Sequence, residues 1–215
     1  MQTQTVTLAG EEIFLHPLKA IYWPREKAFL IADFHLGKGA HFRRNGIMVH
    51  SAIDLVNLKN LNMLLKCFPA EKVIFLGDLF HSRYNQEWLS FEKYLKQLPH
   101  IDFHLVMGNH DILPESIYAA SNLIVHKEYY QMDPFYFSHK PLEEFPEGLF
   151  NLAGHIHPGV MLKGGAKQYM RLPCFYFTEN QGIMPAFGEF TGLSMLKPKK
   201  KDKVFVPVDK SVICL

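Results

Sequence analysis

The sequence has few cysteines, little net charge and no long apolar run, and each shortage excludes a class of protein. Its three cysteines, Cys67, Cys174 and Cys214, are scattered and odd in number, which argues against a disulfide framework or a zinc–thiolate site. No stretch approaches the length of a membrane span, and residues 1–5 lack the pattern of a signal peptide. The formal net charge of +2 is too small to indicate a nucleic-acid partner by itself. We therefore expect a cytoplasmic protein that is not bound to a membrane.

The chain also lacks a linker rich in proline, glycine and serine. Its 215 residues are close to the usual size of one domain, and we expect residues 1–215 to form a single domain. Hydrophobic residues make up 48% of the chain and charged residues 20%, which is enough apolar material for a substantial core.

Short apolar runs alternate with helical patterns in the first half of the chain. Residues 29–32, 73–76 and 103–106 are typical of buried strands, and apolar residues recur at helical spacing over residues 49–68 and 85–98. Helices between strands predict βαβ units and a largely parallel sheet. Beyond residue 123, closely spaced short strands predict a second, mainly antiparallel sheet. The pattern favours two packed sheets with helices outside them.

Most of these strands end in side chains of the types that bind metals. In chain order, the candidates are Asp33, His35, Asp78, Asn109, His110, His139, His155 and His157. Residues two apart in an extended segment project to the same side, so the Asp33/His35 and His155/His157 pairs can each reach one metal region. Carboxylate, amide and imidazole ligands together suit manganese, iron or zinc better than calcium. The set exceeds the needs of one ion, whereas two ions roughly 3.5–4 Å apart would use it.

These residues form five blocks that resemble the signature of the calcineurin-like metallophosphoesterases. The blocks are Asp33-x-His35, Gly77-Asp78, Gly108-Asn109-His110-Asp111, His139 and Gly154-His155-x-His157, in the family's usual order. Longer segments around these blocks, such as Asp-Phe-His-Leu-Gly-Lys and Gly-Asp-Leu-Phe-His-Ser, are similar to those of the small bacterial ligase-associated DNA damage response endonucleases. These enzymes are encoded beside a DNA ligase and a helicase. The resemblance implies an α/β (α+β) fold, a four-layer αββα sandwich of two mixed sheets flanked by helices.

The resemblance also implies a ligand set and a mechanism. It assigns a first ion to Asp33, His35, Asp78 and His157, with Asp78 bridging to a second ion held by Asn109, His139 and His155. It implies two divalent transition-metal ions, with manganese preferred over iron or zinc, and a bridging hydroxide that attacks phosphorus. His110 is then expected to donate a proton to the leaving oxygen, and Asp111 is expected to orient the His110 imidazole.

Three residues near the blocks have two interpretations each. Arg43 and Arg44 follow the first block and can clamp a phosphate oxygen or belong to a solvated basic loop. His81 stands where many members of the family carry Asp or Asn, and it can face the substrate or support the ligands. The role of the lysine run at residues 197–203 stays open.

Three functions remain possible from the sequence. The first is a DNA endonuclease in repair, with DNA or another phosphodiester as its partner and a functional link to a ligase and a helicase. The second is a phosphatase or phosphodiesterase for small phosphoesters or cyclic nucleotides, which the near-neutral charge favours. The third is an inactive metal-binding scaffold for protein partners, which the complete ligand set opposes.

Overall fold

The first sheet carries the parallel strands that the apolar runs predict. The computed structural model describes residues 1–38, 53–81, 84–164, 168–189 and 191–215. In spatial order the sheet contains β1 (Gln4–Leu8), β2 (Glu11–His16), β3 (Ala20–Trp23), β4 (Ala28–Ile31), β5 (Lys72–Leu76), β6 (Asp102–Val106) and β7 (Leu123–His126). Strands β1 to β4 form an antiparallel meander, and β4 to β7 are parallel. The parallel half delivers three strand ends to one edge.

Three described helices connect or flank these strands. They are α1 (Ile53–Cys67), α2 (Gln86–Lys96) and α3 (Glu115–Ala119). The helical periodicity is confirmed for α2 and for the described part of the first predicted helix, since residues 49–52 lie outside the described ranges. The Asn85 side chain caps α2 by accepting a hydrogen bond from the Trp88 backbone N–H. Leu64 of α1 and Trp88 of α2 belong to the same buried cluster as Phe75 of β5.

The second half of the chain contributes ten further strands. In chain order they are β8 (Tyr129–Met132), β9 (Phe135–Ser138), β10 (Phe150–Ala153), β11 (Pro158–Lys163), β12 (Tyr169–Pro173), β13 (Phe175–Phe177), β14 (Gln181–Ile183), β15 (Ser194–Met195), β16 (Lys203–Val208) and β17 (Ser211–Cys214). Seven of them form the second sheet in the order β17-β16-β13-β14-β10-β9-β8.

The second sheet is mainly antiparallel, as predicted, but its centre is parallel, so the sheet is mixed. Its central strands β9, β10 and β14 are parallel, while the outer pairs are antiparallel. Residues 139–149 carry the chain from the end of β9 back to the start of β10, so both strands end at the same edge. Strand spacing alone did not reveal this crossover because the connection contains no described helix.

Two apolar layers hold the sheets in place. Between the sheets, Trp23, Leu30 and Ile74 of the first sheet pack in one cluster with Phe137 and Leu152 of the second. A three-stranded sheet in the order β12-β11-β15 packs against the second sheet, since Val160 of β11 lies in one buried cluster with Tyr176 of β13 and Val204 of β16. No helix of the described chain is long and apolar enough to span a membrane.

Candidate metal centre

The loops after five strands meet at one edge of the two packed sheets. In the first sheet, Asp33, Asp78 and Asn109 follow β4, β5 and β6. In the second sheet, His139 follows β9 and His155 follows β10. Neighbouring parallel strands end at the same edge, which is where ligands of α/β sheets bind. The sheet packing brings the two sets of loops together.

The first candidate ligand group contains Asp33, His35 and His157. One ligand atom from each lies within 4.8 Å of the others. Nε2 of His157 is 3.3 Å from Oδ1 of Asp33 and 3.4 Å from Nε2 of His35. The Nδ1 atom of His35 is buried and has no hydrogen-bond partner within the described chain. Three ligand atoms therefore face one small volume.

The second group contains Asp78, His139 and His155, again with ligand atoms within 4.8 Å of one another. Nε2 of His139 is 3.4 Å from Oδ1 of Asp78 and 3.1 Å from Nδ1 of His155. The amide oxygen Oδ1 of Asn109 lies 3.1 Å from the same His139 nitrogen. The structure thus brings an amide oxygen, a carboxylate and two imidazoles together.

Hydrogen bonds join the two groups into one centre. The His155 backbone N–H donates to both carboxylate oxygens of Asp33, at 3.2 and 2.9 Å. The His35 N–H donates to the Asp78 carbonyl at 2.9 Å, and the Asp33 N–H donates to the Gly77 carbonyl at 3.2 Å. Residues from both sheets therefore fix the separation of the two groups.

The histidines are held in the form that binds metals. Nδ1 of His139 lies 3.0 Å from the Leu76 carbonyl oxygen, which can only accept, so Nδ1 carries the proton and Nε2 presents a lone pair. Burial, followed by the positive charge of Lys38, lowers the pKa of His35 to about 2. Burial, followed by the neighbouring His139, also lowers the pKa of His155. Neutral imidazole is the ligand form, so these shifts favour coordination.

Five candidate ligands have a left-handed backbone. The φ angles of Asp33, His35, Asp78, His155 and His157 are 52°, 51°, 50°, 66° and 51°. Such angles are uncommon for residues other than glycine and cost roughly 1–2 kcal/mol each. Strain of this kind clusters at functional sites, where the surrounding structure enforces it. Its concentration on these five residues indicates that their side-chain positions matter for function.

Three signature glycines let the loops approach the candidate ligands. A Cβ atom on Gly77 would lie 2.1 Å from Nδ1 of His139, and one on Gly108 would lie 2.3 Å from Oδ1 of Asp78. A Cβ atom on Gly154 would lie 2.5 Å from Oδ2 of Asp33. A larger residue at any of the three would displace a ligand. The close approach of the three glycines and the mixed donor set of carboxylates, imidazoles and an amide oxygen both fit a pair of divalent transition-metal ions.

His110 and His81 line the open side of the centre. The His110 side chain is 42% exposed, and its Nε2 lies 3.9 Å from Oδ2 of Asp78. The centroids of the His110 and His81 rings are 3.9 Å apart, and the His81 ring is 5.2 Å from that of His35. The His110 backbone N–H donates to Oδ1 of Asp78 at 2.9 Å. These positions suit contact with a substrate at the centre.

Asp111 accepts hydrogen bonds from the backbone of two loops. Its Oδ1 accepts a hydrogen bond from the Phe80 N–H at 3.0 Å, and its Oδ2 accepts one from the Gly108 N–H at 2.8 Å. Burial raises the pKa of Asp111 to about 7, although these hydrogen bonds act in the opposite direction. The carboxylate therefore ties together the loops that carry Asp78 and Asn109. Its expected role in orienting the His110 imidazole stays a prediction.

Lys38 is a residue of the centre that the sequence patterns missed. Its side chain is half-buried, and burial lowers its pKa while the charges of Asp33 and Asp78 act in the opposite direction. Its ammonium group therefore lies within electrostatic range of both ligand groups. Lys38 lies three residues after His35 in the sequence, but no local pattern gave it a role in the centre. Arg43 and Arg44 lie outside the described residues.

Comparisons with known proteins agree with this geometry. The profile of the calcineurin-like phosphoesterase family matches residues 27–206. Among solved structures, the crystal structure of the nuclease MPE from Pseudomonas putida matches with a TM-score of 0.81 and 29% sequence identity, and the match covers 100% of each chain. No match is found among curated protein sequences.

Proposed function

The chain belongs to the calcineurin-like phosphoesterase family, and on that premise we propose that it is a two-metal phosphodiesterase that cleaves nucleic acid, with DNA in repair as its substrate. The family makes it a hydrolase of phosphoesters. The observation that carries the finer proposal is the pair of adjoining ligand groups, Asp33/His35/His157 and Asp78/His139/His155, at one sheet edge.

The residues present would hold two divalent cations. Asp33, His35 and His157 would hold one ion, and Asn109, His139 and His155 would hold the other, with Asp78 between them. When bound, such a pair of ions lowers the pKa of coordinated water and neutralises charge on the phosphoryl oxygens. Manganese is the preferred ion in this proposal, and iron and zinc are the alternatives.

The protein side chains position the substrate and move its protons. His110 lies on the open side, where a proton on its Nε2 can pass to the leaving oxygen. His81, whose ring packs against that of His110, restricts the orientation of that imidazole. Lys38 adds a positive charge beside the carboxylates and favours the approach of an anionic phosphodiester. Asp111 keeps the Gly77 and Gly108 loops at a fixed separation.

Nucleic acid is the substrate that the comparisons favour. The Pseudomonas putida protein that matches over its full length is the nuclease MPE. The resemblance to the ligase-associated endonucleases adds repair, a cytoplasmic location and a functional link to a ligase and a helicase. The net charge of +2 favours a second candidate, an enzyme for small phosphoesters or cyclic nucleotides, because a broad basic groove would add more charge.

Metal analysis combined with hydrolysis assays tests the proposal. Wild-type protein loaded with manganese should hold about two ions per chain and cleave both a generic diester and plasmid DNA. Asp78→Asn should lose ions and turnover together, whereas His110→Ala should keep its ions and lose turnover. His100→Ala, at an exposed histidine on the chain surface, is the matched control and should behave as wild type. A fully loaded wild type that hydrolyses no diester but binds a protein partner would establish the scaffold function instead.

A further inference from the structure

The strand that leaves the centre continues into an exposed hairpin. β11 begins at Pro158, directly after the candidate ligand His157, and pairs with β12 in antiparallel register. Its parallel pairing with β15 is limited to Pro158 and Gly159. Within the described chain, the outer part of the hairpin therefore extends away from the centre as a two-stranded arm.

One face of this arm combines cations with apolar and aromatic surface. Met161 lies opposite Arg171, and Lys163 lies opposite Tyr169. Because alternate residues share a face and opposed pairs project together, these four side chains lie on one face. Met161 is 45% exposed and Tyr169 is 60% exposed, and Lys163 and Arg171 are also exposed. The Lys163 Nζ atom lies 6.0 Å from the centroid of the Tyr169 ring, which places both on the same side.

The other face of the arm has a structural role along most of its length. Val160 is buried, and Leu172 packs beside it in the cluster that covers the second sheet. Among the residues of β11 and β12 on this side, Met170 at the outer end is the exposed one, at 58%. The hairpin is therefore anchored by one face and presents the other.

The local charge identifies the kind of partner. Between Glu147 and Glu179 the sequence contains no acidic residue, and its charged residues there are Lys163, Lys167 and Arg171. The chain as a whole carries only +2, so this segment is a local concentration of positive charge. Repulsion between like charges opposes pairing of this face with a second copy of itself. An anionic polymer that also presents flat rings satisfies both the cations and the tyrosine.

On this basis, and resting on the function proposed above, we propose that the face formed by Met161, Lys163, Tyr169 and Arg171 binds a nucleic-acid strand that runs out of the metal centre. Lys163 and Arg171 contact phosphates, and an unpaired base stacks on Tyr169. At about 3.3 Å per residue, Met161 and Lys163 lie at most about 13 and 20 Å along the chain from His157. At the stacked spacing of about 3.4 Å, four to six nucleotides span that distance.

The two kinds of contact make different quantitative predictions. Loss of the stacking ring in Tyr169→Ala should lower kcat/KM for cleavage of a single-stranded oligonucleotide by about 5- to 100-fold. The double variant Lys163→Ala/Arg171→Ala should reduce the slope of log kcat/KM against log salt by about 1.4, since each single-strand phosphate contact contributes about 0.7. Both variants should turn over bis(p-nitrophenyl) phosphate like the wild type, because that small diester does not reach the arm.

Matched variants control for fold and for total charge. Met170→Ala removes a side chain of equal exposure from the next position, on the opposite face, and should leave cleavage of the oligonucleotide unchanged. Lys200→Ala/Lys201→Ala removes two exposed charges just before β16, near the pairing of Lys203 with Phe177. This double variant should keep the wild-type salt slope. Tyr169→Phe keeps the ring and should keep the wild-type kcat/KM.

Each remaining outcome has a definite meaning. If the wild type cleaves the oligonucleotide and Tyr169→Ala cleaves it equally well, the arm does not bind the strand, while the nuclease proposal stands. If the wild type turns over the small diester but no oligonucleotide, the proposed nucleic-acid function fails, and this inference fails with it.

Equal loss of both activities in Tyr169→Ala would make the tyrosine a structural residue. A dimer that dissociates in Tyr169→Ala would assign the face to a second copy. Either of these last two results would overturn the inference.

Discussion

Replacing Gly77 with alanine tests the geometry of the centre without removing any candidate ligand. The added Cβ would lie 2.1 Å from Nδ1 of His139, and Gly77 has a φ angle of +79°. Carbon and nitrogen atoms make favourable contacts at about 3.5 Å or more, so the imidazole must withdraw by about 1.4 Å. Metal–ligand distances tolerate a change of only about 0.2 Å. The substitution should therefore remove His139 from coordination.

The expected result is loss of one ion and most of the activity. His139 belongs to the group with Asp78 and His155, whereas Asp33, His35 and His157 form the other group. Gly77→Ala should consequently bind about one manganese ion per chain in place of two. A misplacement of about 1 Å at a reacting centre costs on the order of 10²-fold in rate, so diester turnover should fall by at least that factor. Mass-spectrometric metal analysis and an assay with bis(p-nitrophenyl) phosphate measure both effects.

Gly148→Ala is the matched control for Gly77→Ala. Gly148 has a φ angle of +83°, and a Cβ there would have no atom within 4 Å. Both variants incur the left-handed backbone cost of about 1–2 kcal/mol, which urea unfolding of the metal-free proteins measures. Only Gly77→Ala should change the ion count. Two ions and wild-type turnover in Gly77→Ala would refute the assignment of His139 as a ligand.

Three further predictions follow from the same contacts. His110→Ala should lower diester turnover by about 10²–10⁴-fold with two ions still bound, because the proposed function assigns His110 a proton transfer and no ion. Asp111→Ala should lower the free energy of unfolding by about 2–4 kcal/mol in chemical denaturation, because one buried and one partly buried backbone N–H group lose their acceptor. Burial, followed by the charge of His126, lowers the pKa of His104 to about 4. Between pH 6.5 and 4 the unfolded chain therefore binds more protons than the folded chain. The free energy of unfolding should fall as the pH falls through that window, and His104→Phe should weaken this dependence on pH.

Each of these predictions has a result that contradicts it. Turnover of His110→Ala within about tenfold of the wild type would exclude a proton-transfer role. An Asp111→Ala protein of unchanged stability would show that the loop contacts are not energetically important. Identical pH slopes for His104→Phe and the wild type, measured by urea unfolding of metal-free protein, would show that another group causes the acid sensitivity.

The positions of the ligands could be predicted because their signals are local. Asp33, Asp78 and Asn109 each follow an apolar run, and parallel neighbouring strands bring such residues to one edge. The pairs two residues apart were also informative: the structure places Asp33 and His35 in one group. It separates His155 from His157, however, and each belongs to a different group. Extended spacing could not predict that division, because none of these four residues is extended: all have left-handed backbones, and the directions of their side chains follow from the tertiary fold.

The remaining features depend on contacts that no local pattern carries. The parallel centre of the second sheet results from the route of residues 139–149, which contains no described helix to announce a crossover. The sequence suggested that Asp111 orients the His110 imidazole, as carboxylates do for catalytic histidines. In the structure its carboxylate reaches Phe80, 31 residues away. Lys38 was overlooked because its relation to Asp33 and Asp78 is electrostatic and follows from the tertiary fold.

Anomalous diffraction from manganese-soaked crystals tests the central claim most directly. We expect two peaks per chain, about 3.5–4 Å apart. One should lie among the ligand atoms of Asp33, His35 and His157, the other among those of Asn109, His139 and His155, and Asp78 should contact both. A single peak, or two peaks that do not share Asp78, would contradict the two-metal account.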